Sequence, residues 1–370
     1  MTSGSSSYAL GVTLFRDARR RALAAGYLVL AMIAIMAWVG CGSSSNLAVK
    51  VAGNLLVDAQ GQQIRLLGVD FSGAEYSCID DLGIFAGPTD SQAVAAMASW
   101  DINAVRLPLN EDCWLGINGA PARYSGARYR TAIHQFVTRL NKAGIYVILD
   151  LHWNAPGTVK ATGQQPMADL DHAPAFWSSV ARVFVSDPAV IFDLYNEPHD
   201  ISWQCWRDGC VLPKGWRAAG MQALVDAVRS TGARQPIIAT GLNWGNDLSS
   251  WLRYRPHDPA NQLAAGLHVY NDLACATVTC WNNVVRPVAR TVPVVAGELG
   301  DKTCSGAFVS SFMNWADSIN ASYLGWSWNP SGCAGPSLIS SWSGQPTPYG
   351  AVVREHLAGL RRRLRPPFNA

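Results

Sequence analysis

Charge is scarce in this chain. Only 15% of its 370 residues are Asp, Glu, Lys or Arg, against 49% hydrophobic residues, a balance that excludes a disordered chain and calls for a large buried core. The formal net charge is just +3, and much of the positive charge lies at the ends, in Arg16 and Arg19–Arg21 and again in Arg361–Arg363 and Arg365. The body between them offers no basic field suited to nucleic acid, so no nucleic-acid partner is expected. There is no C-x-x-C pair with accompanying histidine spacing and no glycine-rich phosphate loop after the first strand. Those absences argue against a structural zinc and a nucleotide-binding sheet, and neither metal nor organic cofactor is expected. Nor does a repeat, low-complexity tract or interdomain linker interrupt Leu47 to about Leu360. One domain is therefore expected over residues 47–360, preceded by 1–46 and followed by a basic tail, 361–370.

Residues 1–46 have the form of an export signal. Arg16 to Arg21 supplies a basic region and Ala22 to Val39 an apolar run, while Gly40 and Cys41 lead into the polar stretch Gly42 to Asn46. The Val39-Gly40-Cys41 ending resembles a bacterial lipoprotein processing site, with Trp38 where leucine is usual. Three fates stay open: lipidation on Cys41, ordinary cleavage, or retention of the 18-residue run as a single anchor near the lower bound for spanning a bilayer. The expected location is extracellular or attached to the cell surface, with membrane attachment through the N-terminus. Cysteine usage agrees. Nine cysteines become eight once Cys41 is set aside, an even number for an oxidising compartment. Cys205/Cys210 and Cys275/Cys280 are natural local bridges, and chain order suggests Cys78–Cys113 and Cys304–Cys333, with other pairings open.

The aromatic content is weighted to tryptophan, at 15 copies, more than packing alone usually needs, and broad aromatic faces suit the flat apolar sides of sugar rings. Leu47 to Asp58 followed by Gly61 to Leu67 predicts a short hairpin with its turn near Gln60-Gly61. Eight strands are expected at Ile64–Phe71, Ala104–Leu109, Tyr146–Leu151, Val190–Tyr195, Pro236–Thr240, Ala264–Val269, Val292–Gly297 and Tyr323–Trp328. Helical segments alternate with them at Ser91–Trp100, Arg128–Ala143, Ala173–Phe184, Trp216–Ser230, Asn283–Arg290 and Ala307–Ile319. Eight strand–helix units predict an α/β fold, a single (β/α)8 TIM barrel with a short N-terminal β-hairpin; a doubly wound sheet is the minor alternative. In the barrel all eight cysteines follow strands and fall in loops at its C-terminal face.

Six of the eight strand ends carry polar or aromatic groups that a bland core would not want. Strand four, VIFDLYNEP over 190–198, presents Asn196 and Glu197; strand seven, VVAGELG over 294–300, presents Glu298. Two glutamates from the ends of different strands are the minimum equipment for hydrolysing a glycosidic bond. Strand two carries Arg106. Strand three places Asp150 and His152 on one face, with Trp153 and Asn154 following; strand six does the same with His268 and Tyr270, and strand eight ends in Trp326, Trp328 and Asn329. Burying this set without a function would require a costly network of partners.

With these positions in order, the chain resembles glycoside hydrolase family 5 over roughly Ala52 to Leu357. The resemblance implies that Glu197 is the acid/base and Glu298 the nucleophile of a retaining double displacement. It further implies that Arg106 and Tyr270 support Glu298, that Asn196 contacts the sugar 2-hydroxyl, and that His152 and His268 assist. Trp328 is the expected stacking floor beside the reacting ring. Trp114, Trp153, Trp203, Trp206, Trp244 and Trp281 either pave an extended cleft or anchor loops, and Asn154 is grouped with the binding or supporting residues. The overall likeness to bacterial secreted endoglucanases makes a β-1,4-linked glucan, as polysaccharide or oligosaccharide, the first expected substrate. β-Mannan or another β-glycoside is the alternative, and a non-catalytic carbohydrate-binding surface protein is the reading from another class. A monomer is expected.

Overall fold

The computed structural model describes residues 47–333 and 335–364. The expectations for the export signal, Cys41 and the tail from Arg365 lie outside those residues. Among the described residues no helix is long and apolar enough to cross a membrane.

The chain opens with β1 (Lys50–Ala52), β2 (Leu55–Val57) and β3 (Gln63–Ile64), paired antiparallel in that order. Two expectations are corrected here. The single long first arm of the predicted hairpin is two strands, because Gly53, at φ +63°, turns the chain with Asn54 after Ala52. The expected strand Ile64–Phe71 likewise divides: Ile64 belongs to this small sheet, and the barrel strand β4 begins at Leu67 and ends at Asp70.

The barrel strands follow as β4, β5 (Ala104–Asn110), β6 (Tyr146–Trp153) and β7 (Val190–Asp193). After the short ribbon β8 (Cys210–Val211) and β9 (Arg217–Ala218) come β10 (Ile237–Thr240), β11 (Leu263–Tyr270), β12 (Val294–Gly300) and β13 (Ser322–Gly325). β4–β7 and β10–β13 pair in parallel and close into an eight-stranded barrel. Every one of β5, β7 and β10–β13 is buried along its whole length, as expected of parallel strands covered on both faces. Alternation divides the apolar residues into two cores. Outward-facing Val69, Val105, Leu107, Val147 and Leu149 meet the surrounding helices, whereas Leu66, Ala104, Ile148, Ile191, Ile238, Val295 and Leu324 fill the barrel bottom with Val49 and Leu56 of the N-terminal segment. The small sheet therefore plugs the bottom, and the polar groups are left to the top.

Helices form where the sequence gives an apolar stripe and a start signal. Ala127–Lys142 buries Tyr129, Ile133, Phe136, Val137 and Leu140 at helical spacing. Ser91–Ala98 starts where the Asp90 carboxylate accepts from the backbone N–H groups of Gln92 and Ala93. The expected helix Asn283–Arg290 instead begins at Val278 and passes through a widened turn, Trp281–Val285, before Arg286–Ala289. Pro287 sits in that last segment and has no N–H to bond back into the preceding turn. The last helix, Pro348–Leu364, includes Arg361–Arg363, so the basic run starts inside a helix. Disulfides Cys78–Cys113, Cys205–Cys210, Cys275–Cys280 and Cys304–Cys333 are present. Each staples segments that follow barrel strands: Cys78–Cys113 joins those after β4 and β5, and Cys304–Cys333 those after β12 and β13.

Candidate active site

Arg106 on β5 is the hub of the barrel top and is completely buried. Its Nη1 donates to Asp70 Oδ1 and to Glu298 Oε1, both at 3.0 Å, its Nε to Asp193 Oδ2 at 2.9 Å, and its Nη2 to Asn196 Oδ1 at 2.7 Å. Asp150 Oδ2 lies 3.1 Å from the same Nη2. Four carboxyl groups thus surround one guanidinium, an arrangement too costly to keep fully ionised away from water. Protons are retained instead. Burial pushes Asp70 well above the usual carboxylate range and Asp150 up to about 7, with Arg106 opposing in both cases. Burial likewise raises Asp193 to about 6 against the pull of Arg106.

Glu298 reaches this hub through an irregularity in β12. Leu267 of β11 faces Ala296, but His268 faces Glu298, leaving Gly297 as an extra residue. Val295 packs inward and Ala296 outward, so strict alternation would turn Glu298 out toward the helices. The bulge re-aims it. Its Oε1 then receives Arg106, and its Oε2 receives the Tyr270 hydroxyl at 2.6 Å. Across the cleft, Glu197 follows β7, and carboxylate oxygens of Glu197 and Glu298 lie within 4.8 Å of each other. His268 sits between them, its Nδ1 3.0 Å from Glu197 Oε1 and 3.6 Å from Glu298 Oε2.

The electrostatics of Glu197 suit a proton donor. Burial raises Glu197 above the ordinary carboxylate range, although His152, Arg106 and a hydrogen bond from Gln164 pull the other way. The protonated acid is favoured there. Burial drops both His152 and His268 to about 4, so each is a neutral ring at neutral pH. The His152 network assigns its tautomer: Nδ1–H donates to Asp150 Oδ2 at 2.7 Å, leaving Nε2 to accept from Asn196 Nδ2 at 3.4 Å. Glu197, His268 and Glu298 are also the one group among the described residues whose donor atoms are close enough to hold a metal. Hydrogen bonds of His268 and Tyr270 to the carboxylates account for that closeness.

These residues open onto a cleft of about 410 Å³ lined by His152, Asn196, Glu197, Tyr270 and Glu298, with Trp244, Trp326 and Lys302 around them. The aromatic floor requires a correction. Trp328 does not face the cleft; it is buried, packed edge-on against Trp100 at 4.9 Å between ring centres. β13 ends at Gly325, so strand alternation no longer governs where the next side chains point, and Trp326 takes the floor, stacked on His152 at 5.5 Å and 12°. Trp244 also suits a sugar face, 43% exposed and stacked on the His199 ring. Trp114, Trp206 and Trp281 are buried loop anchors whose indole N–H groups donate to Ser179 Oγ, Thr240 O and Cys275 O. Trp203 packs on Trp206, and half-buried Trp153 lies beside Tyr76 rather than lining the cleft. Asn154 is buried below the surface, donating to Asp169 at 2.9 Å and accepting from Tyr195 at 2.9 Å, so its part is support.

Asp70, Asp193, Gln164 and Lys302 escaped the sequence reading. Asp70 and Asp193 had a signal, a lone acid closing the apolar strands LGVD and VIFD. Gln164 and Lys302 stand in loops and had none.

A parallel barrel with two glutamates facing across a cleft at its C-terminal end is an arrangement suited to hydrolysing a glycosidic bond. The family model for Cellulase (glycosyl hydrolase family 5) matches residues 57–332, and the chain belongs to that family. It is similar to Endoglucanase E-5 of Thermobifida fusca, 23% identical over 289 residues that make up 76% of this chain and 55% of that protein. The chain thus spans about half the length of that relative. It is also similar to a mannan endo-1,4-beta-mannosidase of Salipaludibacillus agaradhaerens, 22% identical over 333 residues, 85% of this chain and 94% of that protein. Among solved structures, a beta-glucanase from Saccharophagus degradans in complex with cellotetraose shares the fold with a TM-score of 0.68 at 20% identity, covering 86% of this chain and 95% of that one.

Proposed function

We propose that the chain is a retaining endo-β-1,4-glucanase. The observation that carries the chemistry is the approach of the Glu197 and Glu298 carboxylates to within 4.8 Å, the short separation of a direct double displacement, with no room for a water between Glu298 and the sugar. Glu298, held by Arg106 and Tyr270, attacks the anomeric carbon. As the bond to the leaving oxygen breaks, Glu197 gives that oxygen its proton, and a covalent glycosyl-enzyme forms. Glu197, now ionised, takes a proton from water; the water attacks the same carbon and releases Glu298. His152 and His268, neutral at working pH, hold hydroxyls and carboxylates without adding charge.

Glucan as the substrate is supported by the endoglucanase relative and by the cellotetraose bound to the structural neighbour. β-Mannan is the second reading, favoured by the mannosidase that aligns over 94% of its own length. Product analysis on carboxymethylcellulose, β-mannan and lichenan, with Glu298→Gln as the inactive control, tests both. Rapid loss of carboxymethylcellulose viscosity with few reducing ends fits the proposal; release of products from mannan alone replaces it with the second reading. No hydrolysis of any of them, with retained sugar binding, would leave a carbohydrate-binding surface protein.

The protein is exported and held at the cell surface or released outside. Support comes from the basic–apolar–Cys41 sequence at the N-terminus and from four disulfides, which persist in oxidising surroundings. Labelling with a radioactive fatty acid separates the fates: label lost in Cys41→Ala marks lipidation, whereas unlabelled protein divides into cleaved and anchored forms by size.

A further inference from the structure

Gln164 lies on the long segment between β6 and the helix Ala173–Phe184, away from all strand ends. The segment is fastened exactly where it passes the acid/base residue. The buried Tyr195 hydroxyl accepts from the Gln165 N–H at 3.1 Å and lies 2.5 Å from Gln165 O. One residue on, Pro166 O accepts from the His199 N–H at 3.0 Å. Asn154 ties the same hydroxyl to Asp169. Residues 165 and 166 are thus clamped from both sides of Glu197, and the side chain of Gln164 is delivered into the site with little freedom left to lose.

Its amide is used at both ends. Oε1 accepts from Asn196 Nδ2 at 2.5 Å, and Nε2 donates to the backbone oxygen of Glu197 at 2.9 Å and lies 3.4 Å from Glu197 Oε2. The orientation of Asn196 is fixed by the same network: Arg106 is only a donor, so Asn196 Oδ1 must face it and Nδ2 must face Gln164. A planar group carrying one acceptor and one donor can bridge the side chain of residue 196 and the main chain of residue 197 together. Neither Leu nor Glu can do both.

We propose that Gln164 is a positioning residue that fixes the Asn196 amide and aims the Glu197 carboxyl at the leaving-group oxygen. The proposal rests on Glu197 being the acid/base. Its signature is dependence on the leaving group, because a misaimed acid matters only when the departing oxygen needs a proton.

Rates on 2,4-dinitrophenyl and phenyl β-cellobioside test it, with Gln164→Leu, which loses both bonds, and Gln164→Glu, which keeps an acceptor for Asn196. The expected result for Leu is a fall in kcat/KM of about tenfold on the phenyl substrate, the worth of one aimed hydrogen bond, and under about threefold on the dinitrophenyl substrate. The basic limb of the pH profile moves to higher pH in both variants, since each loses a donor that favours ionised Glu197. Equal losses on the two substrates, or an unmoved basic limb, would overturn the proposal. If the Leu variant does not fold, the Glu variant decides by the same two readouts. A wild-type enzyme inactive on these substrates and on polymer would instead remove the assignment of Glu197.

Discussion

Arg106→Met replaces a buried cation, surrounded by four carboxyl groups, with a shorter, uncharged side chain. At pH 5, Asp150 (about 7) and Asp193 (about 6) are mostly protonated, and burial shifts Asp70 in the same direction. The change then chiefly deprives Glu298, 3.0 Å away, of its partner. Removing one member of a buried pair costs about 3 kcal/mol at the low end. At pH 8, Asp150 and Asp193 have ionised in the parent protein, and deletion leaves several buried charges uncompensated, moving the cost to about 5 kcal/mol or beyond. The linkage sign agrees. Both acids have folded pKa values above their unfolded ones, so the folded state holds extra protons between about pH 4 and 7, and its stability falls as pH rises through that window. Arg106 holds those values down, so its loss widens the window and steepens the fall. Urea unfolding followed by tryptophan fluorescence at pH 5 and pH 8 measures this. A loss that is equal at the two pH values, or smaller at pH 8, would refute the account of the buried carboxyl cluster.

Other outcomes follow from the same geometry. Tyr270→Phe removes the 2.6 Å bond to Glu298, and kcat should fall by about ten- to a hundredfold, read in steady-state kinetics, because hydrogen bonds to charged groups are worth about 1.5–3 kcal/mol. Trp326→Ala should raise KM on cello-oligosaccharides with little change in unfolding midpoint, whereas Trp328→Ala should cost about 3–5 kcal/mol of stability, since it empties a packed site. Activity should decline on the alkaline side as pH rises through the raised pKa of Glu197, and Glu197→Gln should abolish that limb. Replacing Cys78 and Cys113 by Ala opens a loop of 35 residues and should cost about 4 kcal/mol by chain entropy, measured by denaturant unfolding.

Much of the barrel was legible because parallel strands buried on both faces write themselves as apolar runs, and VIFDLYNEP and VVAGELG carried their glutamates in plain view. What escaped was geometry set by small departures from regularity. Two strands were hidden in one segment because a single Gly-Asn turn at Gly53 separates them. Trp326 and Trp328 have the same parity in sequence, but the strand stops at Gly325 and their environments part. The bulge at Gly297 is invisible without its neighbour strand, although it decides that Glu298 faces the cleft. Gln164 lies beyond reach of any periodicity, since a loop's side chain is aimed by tertiary clamps such as the Tyr195 hydroxyl.

The central claim is that Glu298 becomes covalently bonded to the sugar while Glu197 handles the proton. Incubation with a 2-deoxy-2-fluoro-β-cellobioside carrying a good leaving group, followed by peptide mass spectrometry, tests it most directly. The account predicts one added glycosyl unit, carried by the peptide containing Glu298 and absent in Glu298→Gln. A glycosyl unit on any other residue, or turnover with inversion at the anomeric carbon, would contradict it.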